Sequence, residues 1–441
     1  MDKRSIERIK KRVNGYLLET GMHVHNIRFS EILGTIREEM KKGLSGGESS
    51  LAMIPTYIET DKKIPPDTPV LVLDAGGTNF RTALVSFNSD GTPKITDYNK
   101  YPMPGSKYHV GRDDFFDSLA EKAVKLYDSS SSIGFCFSYP TDITPDKDGK
   151  LLHFSKEIMA PEVEGEYVGH RLKEALSRAG AVREPHIVVL NDTVATLLAA
   201  KAAGAHEHYG GYIGFILGTG LNCAYVEHNG NIGKISSLPP EKSQIINMES
   251  GGFSGLSGGA IDEEFDAGTN SPGRYRMEKM VSGAYLGPLG YTLLKRAAED
   301  GLFSSEAGYR ISDLSSVDTA TMARFLHSPM EFSGGGIGGV FSEREDRLTA
   351  YLLLDNIVER AAKLAALNIS AAVIQGGTGE DPTRPAAVCA DGTTFYKTRR
   401  LKFNTEYYLK RELEEHNGYY LQLISLDKAP IIGAAVAGLT N

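Results

Sequence analysis

Residues 71–87 read LVLDAGGTNFRTALVSF: two apolar runs meet at Ala-Gly-Gly-Thr-Asn, with Asp74 just before the turn and Arg81 just after it. The apolar runs predict two strands, and the glycines predict a hairpin that permits positive φ and a close approach of ligand to backbone. A second segment repeats the arrangement. In IGFILGTGLNCAYVE (213–227) an apolar run reaches Gly218, Thr219 and Gly220, then continues as a strand with Asn222 near its start. Backbone N–H groups and threonine hydroxyls suit phosphate oxygens, so the two hairpins together predict a duplicated α/β core with a nucleotide in the groove between its halves. Neither hairpin is a Walker A loop or a Rossmann fingerprint, since GxxxxGK[ST] is absent and no helix follows the glycines. Taken singly, glycine turns between strands are more often structural only.

A third stretch raises the odds of a ligand site. HIVVLNDTVATLLAAKAAGA (186–205) reads as a buried strand that ends in Asn191 and Asp192 and passes at once into an alanine-rich helix. Carboxylates at the carboxyl ends of strands in open α/β sheets lie where ligands bind. The plainer role for Asp192 is to cap that helix, and on this stretch alone the two readings rank nearly level.

The rest of the chain bounds the possibilities. At 441 residues it exceeds the size at which single cores stop growing, so two domains are expected. A net charge of -8 argues against a counterion-displacing grip on nucleic acid, so an anionic ligand must be held locally. Cys136, Cys223 and Cys389 form no CxxC pair and read as buried thiols in a reducing compartment. No run approaches the roughly 18 apolar residues of a membrane span, and the opening residues lack a secretory apolar stretch, so no membrane association and a cytoplasmic location are expected. Ile6, Ile9, Val13 and Leu17 instead predict one apolar face of a helix over 3–18, packed in the core.

Helical periodicity over 3–18 and 29–43 gives way, through KKIPPDTP (62–69), to the quoted strands, which places a boundary near residue 60. Strand-like runs SIGFCFSYP (132–140) and HIVVLND alternate with helical segments at 113–127 and 166–180, which implies a mixed α/β class. Helical character dominates from about residue 270. AAVCADGTTFYK (386–397) reads as a later strand, and PIIGAAVAGL (430–439) as a helix whose small residues must pack closely against something.

Two glycine-rich segments compete for attention. GLSGG (255–259) matches the GxSxG pattern around Ser257 but has no strand before it, so a hydrolase elbow is discounted. SGGGIGGVF (333–341) has neither a leading strand nor a lysine-serine pair and reads as a flexible loop. The histidine pairs His23/His25 and His206/His208 lack metal-ligand partners and read as surface or loop residues.

MIPTYI, LDAGGTNFR, FSYP, NDTVAT, GTGLN, INMESGGF, RMEKMVSGAYLG and ADGTTFYK occur in order across nearly the whole chain. In this the sequence resembles the hexokinase family of actin-like sugar kinases. The resemblance implies an actin-like (ribonuclease H-like) duplicated fold, with a large domain from residues 1–60 and 191–428 and a small one from 61–190 and 429–441 flanking a cleft. It implies transfer of the γ-phosphoryl of ATP, with Mg2+, to the 6-hydroxyl of glucose or a related hexose such as mannose or fructose, the first step of glycolysis. On the matched positions, Asp192 would accept the hydroxyl proton, with Lys156 also catalytic. The hexose would lie against Ser138, Ser155, Lys156, Asn191, Asp192, Asn222, Glu249 and Glu278. Asp74 would stand near the metal, through water. Gly76, Gly77, Thr78, Asn79, Arg81, Gly218 and Thr219 would surround the phosphates, with Gly392 and Thr393 near the adenosine. Arg81 and Lys156 would supply the positive charge that an acidic protein otherwise lacks there.

The chain departs from the family at SKEI (155–158), where many members read TKGF, so Glu157 adds a negative charge near the sugar loop. It departs again at LDKAPIIGAA (426–435), and no nucleotide contact is carried over beyond residue 424. From its length, one catalytic unit without tandem duplication is expected, and attachment to mitochondria through an apolar N-terminal segment is not expected. No obligate protein partner is implied. A sugar-sensing protein without catalysis and an actin-like ATPase are the competing classes, disfavoured respectively by the retained Asp192, Lys156 and Arg81 and by the sugar-contact set.

Overall fold

A computed structural model describes residues 1–130, 132–154, 158–204 and 208–441. Two sheets organise them. In the first, the strand order is Pro93–Pro102, Asn79–Phe87, Val70–Ala75, Ile133–Phe137, Ile187–Leu190; the first three are antiparallel and the last three parallel. In the second, Ser243–Asn247, Leu221–His228, Gly211–Leu217, Ala386–Asp391 and Leu421–Ile424 follow the same pattern, with Ile54–Pro55 added at the edge. Numbered within each half, both orders are 3-2-1-4-5. The two glycine-threonine turns occupy the same place in each, between strands 1 and 2, so the duplication read from the turns extends to the whole sheet.

Neither turn depends on unusual φ, and close approach decides only at Gly220, where a Cβ would stand 2.7 Å from Glu278. Contrary to the expectation of positive φ, Gly76, Gly218 and Gly220 all lie outside that region. Helix Asp192–Ala203 leaves the edge strand of the first sheet and packs on Gly211–Leu217 of the second, buried along nearly its full length. Helix Ala429–Thr440 lies across it and against Val70–Ala75 and Ile133–Phe137. Here the small residues meet their partner: a Cβ on Gly433 would strike the Ala195 carbonyl, and one on Gly134 would strike that of Ala434. Leucine-sized residues in this crossing would separate the elements.

The N-terminal helices run Lys3–Glu19 and Phe29–Ser45. Asp2 caps the first by accepting the Ser5 N–H at 2.7 Å, and Gly46, at φ +82°, ends the second. Ile9, Val13 and Leu17 are buried as the periodicity predicts, against the long helix Arg344–Gln375. All three cysteines are buried and free, as expected. No described helix is long and apolar enough to cross a membrane.

Two local expectations fail. The stretch 386–397 is a strand only to Asp391; Gly392, at φ +121°, turns the chain, and Thr393–Lys397 is a short helix. Threonine and aromatic residues favour strands locally, but burial of Phe395 against Phe215 decides the outcome. The segment 333–341 is not loop throughout: Gly336–Gly339 form a 3₁₀ turn with Ile337 and Gly338 buried, and Arg347 donates to the Gly338 carbonyl at 3.3 Å. Residues 254–258 form a loop with no strand before Ser257, as the discounted elbow requires.

Candidate active site

The register of the first hairpin sets Asp74 opposite Arg81, and the guanidinium Nη1 lies 2.5 Å from Asp74 Oδ2. Asp74 is 5% exposed. Burial pushes its carboxyl up, the nearby charge of Asp192 adds to that, and Arg81 pulls the other way. Arg81, expected near the phosphate oxygens, is paired with Asp74 across the hairpin. The turn itself is closed by the Gly76 N–H donating to the Asn79 carbonyl at 3.0 Å, and Asn79 donates to the Thr78 hydroxyl at 2.8 Å.

At the end of Ile187–Leu190, Asn191 rather than Asp192 is the helix cap, accepting the Thr193 N–H at 2.8 Å. That corrects the capping alternative for Asp192. Asp192 is the first helical residue, partly exposed, and its charge is felt at Asp74, at Cys136 and at Glu249. Three segments far apart in sequence therefore face one carboxylate.

Beyond Asp192 lies a linked set of amides and acids. Asn222 Nδ2 donates to Asn247 Oδ1 at 2.7 Å, to Glu249 Oε1 at 3.3 Å and to Asn191 Oδ1 at 3.5 Å, and Asn247 Nδ2 donates to the same Glu249 oxygen at 2.8 Å. Glu249 holds a left-handed backbone at φ +51°, a strained conformation for a side chain of this kind. Burial, with Asp192 and Glu278 close by, pushes its carboxyl up to about 7, although the two amides favour the ionised form. Glu278 closes the set: its Oε2 accepts the Leu221 N–H at 2.9 Å, and a Cβ on Gly220 would stand 2.7 Å from the same oxygen. Ser138 joins from the first sheet, its N–H donating to the Ala75 carbonyl at 3.2 Å.

The second turn is held from behind. The Gly218 carbonyl accepts from Gly283 N–H at 2.9 Å and from the Thr394 hydroxyl at 2.8 Å, and the Thr219 carbonyl accepts from Ala284 N–H at 3.0 Å. A side chain on Gly392 would run into the Leu217 carbonyl. In front opens a cavity of about 1100 Å³, lined among others by Gly218, Thr219, Thr393, Arg324, Lys397 and Arg400. Its size suits a nucleoside, and Thr393 stands in its wall.

The sequence-derived residues Asp74, Ser138, Asn191, Asp192, Asn222, Glu249 and Glu278 thus meet around one region, with Gly218, Thr219, Gly392 and Thr393 adjoining through Gly220. Ser155 and Lys156, and with them Glu157 and His206, lie outside the described residues. Three members went unread. Asn247 was visible inside INMESGGF, two residues before Glu249. Cys136, its thiol pushed well up by burial and by Asp74 and Asp192, lies beneath the site with its sulfur 4.0 Å from the Ser138 hydroxyl. The cavity wall Thr319–His327 gave no signal beyond helical periodicity. Among the described residues no group of three or more His, Cys, Asp or Glu could ligate a metal. Asp74 beside the Asp192 charge is a sparse, hard-oxygen donor set, and it fits magnesium, which keeps most of its waters and relies on phosphate oxygens.

The duplicated fold is one that solved sugar kinases share. The chain superposes on a hexokinase from Schistosoma mansoni complexed with glucose at a TM-score of 0.80, with 23% identity over 98% of this chain and 99% of that one. Hexokinase family models match residues 17–202 and 212–440. Hexokinase-1 of Schizosaccharomyces pombe is 29% identical over 90% of this chain and 84% of its own length; human hexokinase-2 is 28% identical over 88% of this chain and 44% of its own. The chain spans less than half the length of the mammalian relatives it matches. It belongs to the hexokinase family.

Proposed function

We propose that this chain is an ATP-dependent hexokinase that transfers the γ-phosphoryl of ATP to the 6-hydroxyl of glucose or a related hexose. The reading is carried by one observation: the charge of Asp192, at the head of its helix, is felt both at Asp74 of the first turn and at Glu249 of the Asn222–Asn247–Glu249–Glu278 set. Neutral hydroxyls suit acids and amides of that kind, and a competitor lacking a matched hydroxyl would leave buried polar groups unpaired. Asn191, Asn222, Glu249, Glu278 and Ser138 hold the sugar. Asp192 accepts the proton of its primary alcohol; because an aspartate is a weak base, the proton leaves late, and positioning carries more of the work than basicity.

The second turn and the cavity beside it take the nucleotide, with Thr219 at the phosphates and Gly392 and Thr393 at the adenosine. Asp74 holds magnesium through water, and the metal, when bound, neutralises charge on the phosphate oxygens. Arg81 favours the ionised form of Asp74 and holds it in place. The sheet-bearing halves act as two domains, 1–60 with 191–428 and 61–190 with 429–441, that close on sugar and keep water from the phosphoryl group. A coupled assay of ADP release with glucose, mannose and fructose tests the reaction. Release that requires sugar supports it, and sugar-independent hydrolysis would point to an ATPase instead. Small-angle scattering that does not change on adding glucose would remove the closure.

A further inference from the structure

Tyr139 follows Ser138 in the FSYP segment, and the mechanism above gives it no role. It is 2% exposed, yet its hydroxyl donates to the Gly76 carbonyl, in the first turn, at 2.7 Å. Its ring packs against Phe137 and, edge to face, against Phe154, with centroids 4.9 Å apart in both cases. Phe154 is the last described residue before Ser155 and Lys156, and its own N–H donates to Glu164 Oε1 at 2.9 Å. The same side chain therefore touches the turn proposed for the phosphates and the root of the loop proposed for the sugar.

The hydroxyl contact has a directional consequence. A peptide unit is planar and trans, so its C=O and N–H point opposite ways. Fixing the Gly76 carbonyl toward Tyr139 aims the N–H of Gly77 away from it. Burial keeps the phenol protonated and hence a donor. Two further links brace the segment from the sides: Thr141 donates to the Tyr139 carbonyl at 2.8 Å, and Leu152 N–H donates to the Pro140 carbonyl at 3.0 Å.

We propose that Tyr139 is a positioning residue that couples the two substrates: the packing of Phe154 on its ring is transmitted, through its hydroxyl, to the orientation of the Gly76–Gly77 peptide in the phosphate turn. This rests on the hexokinase reading. Tyr139→Phe keeps the ring and removes only the hydroxyl, so the packing of Phe137 and Phe154 survives. The measurement is glucose affinity by calorimetry with and without a non-hydrolysable ATP analogue, alongside KM for ATP and thermal stability. In the wild type, each ligand tightens the other. In Tyr139→Phe, KM for ATP rises about fivefold, the change expected for one hydrogen bond of ordinary strength, and the mutual tightening shrinks, while glucose binding to the free protein stays within about twofold. Phe154→Leu, which disturbs the ring contact and spares the hydroxyl, weakens the tightening from the sugar side. Unchanged KM and tightening in Tyr139→Phe, in an enzyme whose wild type is active, would overturn the proposal. A purely structural tyrosine would lower the melting temperature and leave both unmoved. A wild type without sugar-dependent turnover would instead sink the functional reading.

Discussion

At the first glycine-threonine turn the chain arranges charge; at the second it arranges space. The first is flanked by the Asp74–Arg81 pair, and a Cβ on Gly76 would find its nearest atoms at 3.5 and 3.7 Å, ordinary contact distances. The second carries no ionisable residue of its own. There Gly220 is pressed by Glu278, and Gly392, which lies against Gly218, is pressed by the Leu217 carbonyl. One topology has therefore been put to two uses. A turn that sits beside a buried carboxylate needs electrostatic balance, whereas a turn that brings an acid against its backbone needs the absence of side chains.

The largest expected effect lies where the two meet. Asp192→Ala should lower turnover by about a thousandfold, within the range for losing a positioned general base, while glucose affinity by calorimetry changes little. Near-normal turnover would show that the first turn's charge is arranged for something else.

Glycine replacements separate the turns directly. Gly220→Ala forces Glu278 away from the Leu221 N–H, and overpacking of that size should raise the sugar KM by about tenfold or more. Gly76→Ala meets no such obstacle and should leave sugar KM within about twofold. Equal effects on sugar KM would collapse the distinction.

The smallest effect is in pH. Glu249 titrates near 7 in the free protein, above its unfolded value of 4.5, so the folded chain holds the proton more tightly. Its contribution to stability is thus present at low pH and declines as pH rises from about 4.5 through 7. A sugar hydroxyl donating to the carboxylate favours the ionised form. Glucose affinity should therefore rise with pH through this window, by at most about tenfold per unit, and Glu249→Gln should flatten the profile.

Much of this was legible because strands carry their chemistry at their ends. HIVVLND announced both the buried strand and the two polar residues after it, and the paired hairpins announced the duplication. What stayed hidden was set by contact between distant segments. Nothing near Tyr139 in sequence points to Gly76, and Thr319–His327 becomes a cavity wall only once helix and turn are brought together. The strand expected over Gly392–Lys397 failed for the same reason, since Phe395 follows the core rather than its local preference. The pairing of Arg81 with Asp74 also stayed hidden, because it follows from register: Asp74 lies directly across the hairpin from it.

The crossing of Ala429–Thr440 over Asp192–Ala203 bears on how the molecule is made. The helix that carries the candidate base meets Gly211–Leu217 soon after it is made but finds its other wall only in residues made far later, so during synthesis that segment waits, lacking one wall, while much of the chain is still being added. Assembly of the chemical centre is then among the final events of folding, and the protein gains its activity late rather than piece by piece.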